Sequence, residues 1–79
     1  MFELTTLMDL VKDATPIQDP STLDSDKPLR SQGLDSLDHS SLLLAVEESQ
    51  KIKIPDADVE RLATLNDILR YVNTRLGEG

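Results

Sequence analysis

The sequence predicts an all-α fold, a four-helix bundle of three longer helices and one short one, with a long loop between helices one and two. Three observations carry this. Leu4, Leu7, Met8 and Val11 recur at one-face helical spacing, as do Leu65, Ile68, Leu69, Val72 and Leu76. Between them a long apolar run opens after Gly33 with a short polar pair, Asp35-Ser36. The one alternating stretch, Lys51-Ile52-Lys53-Ile54, is too short and isolated to build a sheet, and reads as a link with Ile52 and Ile54 buried.

In chain order, helix one is expected from about Glu3 to Ala14, because Pro16 keeps the residue before it out of the helical region. From Thr15 to Asp35 the chain is rich in Pro, Ser, Asp and Thr and has no helical period. It reads as a long ordered connection with a short helical turn near Pro20–Leu23, anchored by Ile17, Leu23, Leu29 and Leu34. Asp24-Ser25-Asp26 looks like the start of a calcium loop, but Leu29 and Asp35 stand where such a loop needs Gly and Glu. Pro55 suits the first position of a short helix from Asp56 to about Leu62, with Val59 and Leu62 inward. Thr64 caps the last helix with Asp67 three residues on, and Gly77 is its expected stop. Tyr71 is expected at the edge of the core with its hydroxyl in water. The expected core is Leu4, Leu7, Met8, Val11, Leu42, Leu43, Val46, Ile54, Val59, Leu62, Leu65, Ile68, Leu69 and Val72.

The second helix, about Ser36 to Gln50, is the informative one. Asp35 or Ser36 can act as its N-cap, with Asp38 close to a capping-box position. Ser36 therefore stands at or just before the first turn, near unpaired N–H groups and a dipole that favours negative charge. Leu42, Leu43 and Val46 form the stripe facing the core. Leu37 and Leu44 fall on a neighbouring face, flanked by Asp35, Asp38, Glu47 and Glu48. Leucines rimmed by carboxylates beside an exposed serine suggest a docking surface; the plainer reading is that they widen the core stripe.

Composition narrows the function. The 79 residues, a single domain over 1–79, include no cysteine, so neither a disulfide nor a thiolate metal site is available. A net charge of -7, from 15 acidic and 8 basic residues, argues against nucleic acid and anionic membranes and favours basic protein partners. No apolar run spans a bilayer and no basic n-region precedes an apolar stretch, so a soluble cytoplasmic monomer is expected, or an organellar one after removal of a transit peptide.

Gly33-Leu34-Asp35-Ser36-Leu37-Asp38 resembles the prosthetic-group site of the acyl carrier protein family. The resemblance continues in Ala45-Val46-Glu47-Glu48, Ile54-Pro55-Asp56 and Thr64-Leu65-Asn66-Asp67-Ile68. It implies that Ser36 carries 4′-phosphopantetheine, placed there from coenzyme A by a phosphopantetheinyl transferase. It further implies acyl thioesters presented to acyl-loading, ketosynthase-type and other fatty-acid or polyketide enzymes with basic patches. Ser31-Gln32, Ser40, Ser41, Ser49 and Gln50 depart from the housekeeping carriers of that family. These departures point to a dedicated carrier of a secondary pathway, such as a polyketide route.

Two other classes compete. Ser36 and His39 lie one helical turn apart beside Asp35 and Asp38, which invites a catalytic triad. Four side chains from one turn of a surface helix splay outward and cannot converge on a substrate, and no G-x-S-x-G elbow is present. His39 is the only histidine, so no metal cluster forms around it. A small acidic helical module that binds proteins unmodified explains the helices and the charge, but not a serine after aspartate at the mouth of helix two.

Overall fold

A computed structural model describes residues 1–78. Helix α1 spans Leu4–Ala14 and buries Leu7 and Val11, the centre of the expected stripe. Thr15 ends it: the backbone N–H and the Oγ1 hydroxyl of Thr15 both donate to the Val11 carbonyl, at 3.0 and 2.6 Å. Thr15 itself is extended, as a residue before proline must be. Leu4 and Met8 are only half-buried, because they sit at the flanks of that stripe. Phe2 is buried instead. It precedes the helix, so helical periodicity does not reveal it. Its N–H donates to Asn73 Oδ1 at 2.8 Å and its carbonyl accepts from Asn73 Nδ2 at 3.1 Å, which pins a buried ring against the last helix.

The long connection is ordered. A 3-10 turn at Pro20–Thr22 is capped by Asp19. A second, which the sequence does not announce, covers Leu29–Gln32 and ends at Gly33 with φ 99°, a left-handed backbone that glycine adopts without penalty. Leu23, Leu29 and Leu34 are buried, and Ile17 is half-buried. The Gln32 side chain ties the loop: its Oε1 accepts the Asp24 N–H at 2.6 Å, and its Nε2 donates to the carbonyls of Asp24 and Lys27, each at 3.0 Å. Two bonds fasten the loop to the segment ahead of the last helix, Leu29 N–H to the Ala63 carbonyl at 2.8 Å and Asn66 N–H to the Ser25 carbonyl at 3.1 Å.

Helix α2 spans Ser36–Gln50, as expected, and buries Leu42, Leu43 and Val46. It stops at Lys51, a non-glycine residue in the left-handed region (φ 55°), whose N–H and that of Ile52 both return to the Glu47 carbonyl. In the link that follows, Ile54 is buried but Ile52 only half-buried.

Helix α3 is shorter than expected, Asp56–Val59. Beyond it Arg61 and Leu62 donate to carbonyls three residues back, so the chain reaches buried Leu62 through tight turns rather than an α-helix. Pro55 is the N-cap, not the first helical residue, because its ψ of 148° is extended. Val59 is half-buried against the core.

Helix α4 spans Leu65–Glu78. Thr64 and Asp67 form a reciprocal capping box: Thr64 Oγ1 accepts the Asp67 N–H at 3.0 Å, and Thr64 N–H donates to Asp67 Oδ2 at 3.3 Å. Leu65, Ile68 and Val72 are buried, whereas Leu69 is half-buried and Leu76, at 39%, is exposed. Gly77 does not stop the helix, since it stays helical rather than turning left-handed. The Tyr71 hydroxyl is not simply in water either; it donates to Asp58 Oδ2 at 2.8 Å and accepts from Arg75 Nη1 at 3.0 Å, joining α3 to α4.

Helix α1 packs on α2, on α4 and on the first 3-10 turn. The radius of gyration is 11.4 Å, close to the ~11.6 Å expected of a folded chain this long. The long loop therefore lies on the bundle and does not trail from it.

Candidate functional site

Ser36 is the first residue of α2, and three neighbours set its position. Gly33 reverses the chain, Leu34 is buried beneath the turn, and Asp35 is the extended N-cap. Asp35 Oδ1 accepts the Asp38 N–H at 2.8 Å. Of the two possible caps, Asp35 takes the role, which leaves the exposed Ser36 hydroxyl with no hydrogen bond among the described residues. The first-turn N–H groups and the helix dipole favour an anion at this end.

Ser36 opens onto a groove of about 500 Å³ between the start of α2 and the α3 region. Its lining includes Pro28, Arg30, His39, Val59, Glu60 and Ala63. His39 is only 7% exposed, and its Nδ1 has no hydrogen-bond partner. A buried ring nitrogen left unpaired carries a desolvation cost. His39 also lines the groove that starts at Ser36. Among the described residues the Ser36 hydroxyl makes no hydrogen bond to His39, and the Asp35 carboxylate accepts the Asp38 N–H.

The residues expected to dock a partner fall into two groups. Leu37 is 75% and Leu44 55% exposed, so they do not widen the core stripe. Helix α2 thus carries leucines on two faces, one buried and one open to solvent. Asp35 and Glu48 are exposed, while Asp38 and Glu47 are half-buried. Glu47 is partly committed to the fold, because its Oε1 accepts the Ile54 N–H at 3.1 Å. Leu44, Glu47 and Glu48 also share a shallow depression of about 460 Å³ with Lys51, Ile52 and Lys53. The far end of this face is therefore mixed in charge, which reading helix two by itself misses.

Arg30 is the site residue that sequence reasoning passes over. It lies outside helix two, and only the folding of the loop against α2 brings it to the groove. Among the described residues no cluster of His, Cys, Asp or Glu could hold a metal ion, and no helix is long and apolar enough to cross a membrane.

The acyl carrier protein of Wolinella succinogenes is 48% identical over 42 residues, 53% of this chain and 55% of that protein. That of Campylobacter jejuni is 40% identical over 47 residues, 60% of this chain and 61% of that protein. That of Campylobacter fetus is 36% identical over the same length. The chain thus spans between about half and three fifths of the length of these curated relatives. A family model described as the phosphopantetheine attachment site matches residues 5–72, and with most of its length so matched the chain belongs to that family.

Proposed function

We propose that the chain is a single acyl carrier domain over residues 1–79, in which Ser36 bears the 4′-phosphopantetheine arm. The observation that carries the reading is an exposed, unbonded serine hydroxyl at the first position of α2, at the mouth of a groove, in a chain of the phosphopantetheine attachment family. When attached, the arm supplies a terminal thiol that holds acyl groups as thioesters.

The chain's own residues then do three things. Asp35 caps the first turn, so the exposed Ser36 hydroxyl is left out of the fold's own hydrogen bonds and open to a phosphopantetheinyl transferase. The groove past His39 offers a partly sheltered path next to that serine. Leu37 and Leu44, with Asp35, Asp38, Glu47 and Glu48 around them, offer an apolar and acidic surface to enzymes with basic patches. The domain catalyses nothing itself. It raises the local concentration of a tethered intermediate for acyl-loading, ketosynthase-type and related enzymes.

The half-buried Gln50, whose amide donates to the Ser49 hydroxyl at 2.9 Å, makes one end of α2 more polar and supports a specialised polyketide-type role. The test is thioester loading. The phosphopantetheinylated domain should accept an acyl group from acyl coenzyme A when an acyl-loading enzyme is present, with coenzyme A released, and neutral hydroxylamine should free the acyl group. A protein that binds such enzymes without ever taking the arm or the acyl group would be an unmodified interaction module instead.

A further inference from the structure

We infer that Arg30 is a positioning residue for the phosphodiester of a group attached at Ser36. This rests on the carrier reading above. Arg30 stands in the 3-10 turn Leu29–Gln32 and is exposed, yet it lines the same groove as Ser36. Its side chain makes no hydrogen bond and no ion pair among the described residues; the ion pair there is Arg70 with Asp67 at 3.3 Å. Its backbone, by contrast, is held on both sides. Leu29 is fully buried and bonded to Ala63, and Gln32 is bonded to Asp24 and Lys27. A fixed backbone carrying a free guanidinium beside the serine is a ready anion partner.

The charge pattern favours one. Ser36 stands between Asp35 and Asp38 in a chain of net charge -7. A phosphodiester there adds a full negative charge next to two carboxylates, and the helix end offsets about half of it. Of the charged residues lining the groove, Arg30 is the cation and Glu60 the anion; His39 is the remaining titratable group. A guanidinium meets two phosphate oxygens through a planar, bidentate fork, whereas a lysine ammonium acts as a point charge. Arg30 therefore lowers the electrostatic cost of the attached group and orients its first segment along the groove.

The test compares the native chain, Arg30→Gln and Arg30→Lys, each before and after complete loading from coenzyme A, with loading verified by intact mass. Loading should shift the melting temperature of Arg30→Gln downward relative to its shift in the native chain. A difference of about 1–8 °C is expected at low salt, the range of an exposed ion pair in a domain this small. High salt should close most of the gap, and Arg30→Lys should recover part of it. The Arg30 Nε–Hε resonance should also move on loading, while that of Arg70 should not. Equal loading shifts in native and Arg30→Gln proteins, with an unmoved Arg30 resonance, would overturn the inference. So would a melting-temperature difference between native and Arg30→Gln proteins that is the same before and after loading, which would give Arg30 a role in the unloaded fold only. A native chain that gains no mass would instead overturn the carrier reading itself.

Discussion

The carboxylate of Asp35 accepts the backbone N–H of Asp38 at 2.8 Å, so the residue before Ser36, not Ser36, caps α2. The division of labour is testable. Asp35→Ala should lose about 1 kcal/mol of stability, and Asp35→Ser only a few tenths. Ser36→Ala should stay within about 0.5 kcal/mol of the native chain, since its hydroxyl has no structural partner. Thermal or urea unfolding of the three variants checks the order.

Leu37 and Leu42 share a helix but not an environment, being 75% exposed and fully buried. Leu37→Gln and Leu44→Gln should change stability by no more than about 0.5 kcal/mol, whereas Leu42→Ala should cost about 2–5 kcal/mol. The surface variants should nonetheless slow acyl transfer to a partner enzyme at subsaturating carrier. Normal transfer by both would remove these leucines from the docking surface.

The acidic rim should act through charge. Reversal at Asp35, Asp38 or Glu48 should slow transfer to an enzyme with a basic patch, more at low salt than at high. Asp35 and Glu47 require controls, because their reversal also removes the acceptors of the Asp38 N–H and the Ile54 N–H, and Asp35→Asn serves for the first. Glu47→Gln keeps an acceptor oxygen and should retain stability while losing the charge. Stopped-flow association rates across a salt series distinguish the two roles.

Tyr71 links pH to stability. Burial raises its phenol pKa above the ordinary 10.0, and the hydrogen bond to Asp58 raises it further, partly opposed by Arg75. The folded protein thus holds this proton more tightly than the unfolded chain does. The contribution is complete below pH 10.0 and is lost as pH rises through the higher folded-state value. Native protein should therefore lose stability above that pH more steeply than Tyr71→Phe, and Asp58→Asn should fall between them. Denaturant midpoints measured across the alkaline range give the comparison.

What the sequence reveals of this fold is what neighbouring residues decide. The bounds of α2 and the Thr64–Asp67 box follow from spacings of a turn or two, which also narrow the α2 cap to Asp35 or Ser36 and set Leu37 and Leu44 on a face beside the core stripe. What it conceals depends on residues far apart in the chain. Phe2 enters the core through Asn73, and Leu29 meets Ala63, and no local period marks either pair. The same reason hides the groove beside Ser36. Its serine is legible in the motif, but Arg30, Val59 and Glu60 reach it only when the long loop and the α3 region fold against α2. Gly77 shows the opposite error, a strong local stop signal that the backbone does not use.

The most direct test of the account is the intact mass of the native chain and of Ser36→Ala after incubation with coenzyme A and a broad-specificity phosphopantetheinyl transferase, repeated with a cognate transferase. The account predicts one phosphopantetheine on the native chain, mapped to Ser36 by peptide fragmentation, and none on the folded Ser36→Ala variant. Addition to the variant would place the attachment elsewhere. No addition to the native chain by either transferase, with both active on a control carrier, would contradict the carrier assignment.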